Sequence, residues 1–194
     1  MSPTNKFHAA GLGLVLCAAL AAPAQAAGYV LDKPHTQAEF VVTHMAVSKV
    51  HGQIPLASGT ATLGANDLPT AITATFDVSK LATNDDNRDK SLREQYFDAD
   101  KYPTITFVER SATGTPSDFK LAGDLTIHGV TRPVTLDAQM VGSNIVKGKR
   151  QVGFTATGHI DRRDFGINFA PLINGALIAG DDVTINIETD LVAQ

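Results

Sequence analysis

The feature that most constrains the fold of this chain is an apolar–polar alternation with period two, repeated along most of its length. In FKLAGDLTI, Phe119, Leu121, Leu125 and Ile127 share one face, and Lys120, Asp124 and Thr126 the other. VTRPVTLDAQM places Val130, Val134, Leu136, Ala138 and Met140 together, and RQVGFTATGHI does the same with Val152, Phe154, Ala156 and Ile160. AITATFDV and VTINIETDL repeat the pattern. Successive side chains of a strand point to opposite faces, so each segment reads as a strand with one buried and one wet face, the mark of an antiparallel sheet. Eight such strands are predicted, near 38–45, 51–63, 70–78, 104–111, 117–127, 130–142, 148–161 and 182–192. With no helical layer to cover them, the sheet must bury its own apolar face. Closure into a barrel does this and removes the edges; a two-sheet sandwich is the alternative.

The chain has 194 residues, and the first 26 do not read as part of this fold. Lys6 supplies a positive start, Gly11 to Ala22 is a short apolar run, and Ala24-Gln25-Ala26 is a small-x-small cleavage site. That is the pattern of a secretory signal peptide, with cleavage expected after Ala26; a retained membrane anchor is the competing reading. The expected domain is then 27–194, a single unit large enough to bury a substantial core. The one cysteine, Cys17, falls inside the signal, so the exported part would carry neither disulfide nor thiol nucleophile. Removing Lys6 leaves 15 Lys and Arg against 20 Asp and Glu, with no basic stripe, which argues against nucleic acid as a partner.

Two segments depart from the alternation. In 85–103, Leu92, Tyr96 and Phe97 stand at i, i+4 and i+5, which predicts a short helix starting near Asp85 or Asp86 and ended by Pro103. The segment 161–182 is long and apolar, and reads either as a lid or rim or as a plug completing the core. Between Ile127 and Val130 only His128 and Gly129 remain, which predicts a type I′ hairpin turn.

Three of the six histidines, His35, His44 and His51, lie close together in sequence. On one regular strand His35 and His44 have opposite parity, so they cannot share a metal without a bulge, and His51 follows a bend. No HxH, HExxH or Cys/His cluster accompanies them, and no metal or other cofactor is expected. Asp85, Asp86 and Asp89, and Asp181 and Asp182, read as solvated faces. Nucleophile elbow, phosphate loop and dinucleotide fingerprint are all missing, so the sequence gives no positive evidence for an enzyme. His44, with inward parity, is read as a polar group at the end of a cavity. Ala74, Gly123, Ala138, Ala156 and Gly158 are small residues at inward positions and suggest open space. An eight-stranded barrel either fills itself or holds one small ligand, and strands of about twelve residues would make a deep, narrow tunnel.

The segments DKPHTQAEFVVTHM, RDKSLREQYFDADKYPTITF, GDLTIHGVTRPVTL and RRDFGI stand in the order and spacing of the YceI-like family, which the chain resembles over about 28–192. His35-Thr36 replaces the family's more usual His-Ser, a mild departure. The resemblance implies an all-β, eight-stranded antiparallel lipocalin-like barrel with a short helix and an internal hydrophobic cavity. It implies a periplasmic carrier for a long-chain isoprenoid lipid of polyprenyl or quinone type, with a membrane cytochrome b561-type protein as a partner. A homodimer is a further expectation. The expected lining is Phe40, Val42, Ile72, Phe76, Phe107, Leu121, Leu125, Leu136 and Phe154, with Leu172 and Ile173 near a mouth and Arg88, Arg163 or His44 at a polar head group. The competing functional reading is a metal-assisted hydrolase using His44 and His51.

Overall fold

The computed structural model describes residues 27–194; the signal-peptide reading of 1–26 lies outside the described residues. Twelve strands form in the order β1 (Ala27–Leu31), β2 (Gln37–His44), β3 (Ser48–Gln53), β4 (Leu56–Leu63), β5 (Pro69–Asp77), β6 (Thr104–Thr115), β7 (Asp118–Ile127), β8 (Val130–Val146), β9 (Lys149–Asp161), β10 (Leu172–Ile173), β11 (Ala176–Leu177) and β12 (Ala179–Ala193). All pairings among them are antiparallel. The ring β1-β4-β5-β6-β7-β8-β9-β12 closes because β1 pairs with both β4 and β12. The result is the eight-stranded barrel that alternation predicts, but its closing strand is β1, which the sequence reading leaves out.

The reason lies in β12. Its second edge is shared in series: β2 takes Ala179 to Glu188 and β1 takes Leu191 to Ala193. β1 and β2 thus act as one strand broken at Lys33–His35, a single 3-10 turn with a proline in its first turn. Pro34 has no N–H for a ladder, and the break is held by Asp32, whose backbone N–H donates to Asp190 O at 2.8 Å. The segment expected as one strand over 51–63 is likewise split, at Ile54-Pro55, into β3 and β4. β3 pairs with β2, so the β2–β3 hairpin extends the barrel wall at one end.

That upper end also carries the helical segment and the long loop. Asp85 caps α1 (Asp86–Ser91), accepting from the Arg88 N–H at 2.9 Å. A wide turn follows over Leu92–Tyr96, with Phe97 N donating to Leu92 O, five residues back. This brings Leu92, Tyr96 and Phe97 against the barrel, as their spacing predicts. Asp89 is not on a solvated face: it is buried and accepts from Thr83 N at 2.8 Å. At the β7–β8 turn His128 and Gly129 both have positive φ, 52° and 74°, the type I′ geometry. The lower end is pinned by Arg150, which grips both oxygens of Asp67 at 2.7 and 2.9 Å.

Candidate ligand-binding cavity

The inward faces of the strands do not fill the barrel. A cavity of about 210 Å³ runs along its axis. Phe40 and Val42 of β2, Ile72 and Phe76 of β5, Phe107 of β6, Leu121 and Leu125 of β7, Leu136 of β8 and Phe154 of β9 all line it. Phe119 and Phe154 meet edge to face at 6.1 Å toward the lower end. At the upper end Leu92, Tyr96 and Phe97 from the helical segment and Phe165 and Ile167 from the long loop complete the wall.

The small inward residues divide into two groups. Ala74, Ala138 and Ala156 border open space, and Ala138 stands directly across from Ala156. Gly123 and Gly158 do not. A Cβ on Gly123 would lie 2.4 Å from the Phe107 ring, and one on Gly158 2.5 Å from Leu136 Cδ2. These glycines accommodate neighbouring side chains rather than leave a void, which corrects the expectation for those two positions.

Five of the expected ligand contacts lie outside the lining. His44 is the last residue of β2, where its Nδ1–H donates to Ile178 O at 2.8 Å; the register of β12 shifts between Ala179 and Val183 opposite it, and the imidazole bonds the lid backbone instead of lining the cavity. Arg88 turns to Thr83, donating to its hydroxyl and carbonyl oxygens, both at 2.7 Å. Arg163 is exposed and paired with Asp161 and Asp181. Leu172 and Ile173 sit on the β10–β11 hairpin, a two-stranded element within the long loop, and face outward.

The histidines are separated. His35 pairs with Asp32 and His51 with Glu39, both at 2.8 Å on the outer surface. Among the described residues no three His, Cys, Asp or Glu side chains gather as metal ligands would. His44 and His51 therefore do not converge on one reacting centre.

The polar residues at the cavity are few. Thr36 and Thr189 bond each other at 2.8 Å. Glu39 turns outward to Asn186 and His51, whose hydrogen bonds hold its carboxyl below the usual carboxylate range. The largest polar group is Arg162, which sequence reasoning misses in favour of its neighbour. Its guanidinium has five N–H groups. Nε donates to Gly180 O at 3.0 Å, Nη1 to Ile167 O and Phe169 O at 2.7 and 2.9 Å, and Nη2 to Ala179 O at 3.4 Å, while Nη2 also forms an ion pair with Asp181 at 2.7 Å. Every guanidinium nitrogen is engaged, and all five partner oxygens belong to the segment 167–181. The guanidinium also stands 5.9 Å from the centre of the Tyr96 ring, which meets Phe169 edge to face at 4.9 Å. Arg162, Tyr96 and Phe169 thus fasten the long loop across the upper end as a lid. The Tyr96 hydroxyl takes no side-chain or backbone partner among the described residues, and burial pushes its pKa up.

Comparison with known proteins follows the same lines. The YceI-like domain model matches residues 29–191. A UPF0312 protein of Staphylococcus aureus is 35% identical over 160 residues, spanning 80% of this chain and 91% of its own. The crystal structure of a Campylobacter jejuni YceI protein superposes with a TM-score of 0.66 at 27% identity, over 78% of this chain and 90% of that one. A polyisoprenoid binding domain from Saccharophagus degradans, at 14% identity, shares the fold with a TM-score of 0.61 over 86% of this chain and 98% of that one.

Proposed function

The chain belongs to the YceI-like family, and from that premise we propose that it binds and carries a long-chain isoprenoid lipid, of polyprenyl or quinone type, in the barrel cavity. The observation that carries this reading is the continuous apolar cavity along the barrel axis, bordered by Phe40, Phe76, Phe107, Leu121, Leu136 and Phe154. A hydrocarbon chain gains about 0.8 kcal/mol for each CH₂ it buries, so length alone gives such a ligand affinity. The description of the Saccharophagus degradans domain as polyisoprenoid-binding supports the same chemistry.

The polar groups point to an uncharged head. Every Arg162 guanidinium nitrogen is already engaged by the lid, and Asp181 is its ion-pair partner. A phosphate would have to break those bonds, whereas a quinone carbonyl or a hydroxyl asks only for the free Tyr96 hydroxyl. The role proposed is binding rather than catalysis. Its proposed place is the periplasm, on the support of the signal-like pattern Lys6, Gly11 to Ala22 and Ala24-Gln25-Ala26. A membrane cytochrome b561-type partner rests on the family resemblance alone.

Native mass spectrometry of gently purified protein tests the reading. A co-purifying lipid is expected, together with one-to-one uptake of added polyprenol or quinone. A persistent unliganded mass in the presence of both would overturn it.

A further inference from the structure

We propose that the lid is also a membrane-docking surface that enters the apolar layer of a lipid bilayer, so that ligand passes between bilayer and cavity without crossing water. This rests on the lipid-binding reading above. From Phe165 to Gly180 the chain carries no Asp, Glu, Lys, Arg or His. Within it the β10–β11 hairpin projects Leu172 and Ile173, 62% and 44% exposed, and Phe169 is 40% exposed. Val47, 86% exposed, lies in the turn after β2, where Met45 N donates to Ile178 O and so ties that turn to the lid. Large apolar side chains are thus gathered on the segment that covers the cavity, next to Arg162 and Tyr96.

The occupant follows from size and charge. A large side chain presents about 150–250 Å² even when fully exposed, so four partly exposed ones fall short of the roughly 800 Å² per partner that a stable dimer buries. A narrow hairpin tip with apolar side chains and a neutral Asn174-Gly175 turn suits insertion between lipids better than a flat protein contact. At the base of the lid the two positive charges of Arg162 and Arg163 balance the two negative ones of Asp161 and Asp181, so attachment should need no anionic lipid.

Vesicle flotation tests this with pure phosphatidylcholine vesicles and with vesicles containing phosphatidylglycerol. The purified protein is compared with a Leu172→Asp, Ile173→Asp variant and with a Val141→Asp, Ile145→Asp variant, whose sites are 68% and 62% exposed on the β8–β9 hairpin at the lower end. The expected result is flotation with both vesicle types, insensitive to salt, reduced more than tenfold in the lid variant and kept in the lower-end variant. Transfer of a polyprenol from vesicles should slow in parallel, while uptake from detergent micelles stays within twofold in the lid variant. Failure of the unmodified protein to float, equal loss in the lower-end variant, or a dimer that only the lid variant dissociates would each overturn the proposal. If micellar uptake is also absent in the unmodified protein, it is the lipid-binding reading that fails, and flotation still decides whether the lid docks.

Discussion

Arg162 Nη2 forms an ion pair with Asp181 Oδ1 at 2.7 Å, with the two side chains 6% and 24% exposed, and this pair joins the end of β9 to the start of β12 across the base of the lid. The pair is the charged part of a wider anchorage, because the same guanidinium holds four carbonyls of the lid segment.

Arg162→Met should therefore release the lid and destabilise the fold by about 3–5 kcal/mol, the usual result of removing one partner from a buried ion pair. Hydrogen exchange should quicken over 166–180 while the β6–β7 ladder stays protected. Arg163→Ala and His44→Ala, whose side chains lie outside the cavity, should leave lipid uptake within twofold. Equal exchange in the Arg162 and Arg163 variants would contradict this assignment.

Ala138 and Ala156 face each other across β8 and β9 and both border the cavity. Replacing both with leucine should fill space that a ligand chain needs. Lipid uptake, titrated by native mass spectrometry, should drop more than tenfold. Stability should change by less than the roughly 1–3 kcal/mol typical of overpacking a filled core. A large fall in thermal midpoint would instead mean that the space is already occupied by protein atoms.

Tyr96→Phe removes the free hydroxyl beside Arg162 and keeps the ring that meets Phe169. One hydrogen bond contributes roughly 0.5–1.5 kcal/mol, so a quinone or polyprenol should bind about three- to tenfold more weakly. A hydrocarbon of the same length should bind unchanged. Equal weakening of both would mean that the ring, not the hydroxyl, makes the contact.

Glu109 follows Phe107 at the next inward position of β6, is half-buried, and leaves Oε2 without a hydrogen-bond partner among the described residues. Burial pushes its pKa up to about 6 from an ordinary 4.5. The folded protein then holds this proton more tightly than the unfolded chain. The carboxyl is thus without penalty at low pH and costs stability as pH rises from about 4.5 through 6. Because the group is only half-buried, solvent screening reduces the cost to on the order of 1 kcal/mol. Glu109→Gln should stabilise the protein by that amount at pH 7.5, and the gain should vanish near pH 4 in urea titrations. A gain independent of pH would reject this account.

Much of the cavity was legible in the alternation. Phe40, Ile72, Phe107, Leu121, Leu136 and Phe154 line it because strand parity is a local property of the backbone. Parity also places Gly123 and Gly158 inward, but their space is taken by Phe107 and Leu136 from adjacent strands, and His44, the last residue of β2, is bonded to the lid backbone instead of lining the cavity. Parity says which way a position faces, not how far a neighbour reaches.

By itself, then, the sequence determined the strands, their inner faces, the type I′ turn at His128-Gly129 and the helical segment that carries Tyr96, since each follows from residues near in the chain. Only the tertiary structure decided that β1 closes the barrel, because its partners β4 and β12 are brought to it from opposite ends of the domain. It alone decided which of two consecutive arginines turns inward. Arg162 is chosen by carbonyl oxygens at 167, 169, 179 and 180 and by Asp181, which converge on one point only after the lid has folded over the barrel.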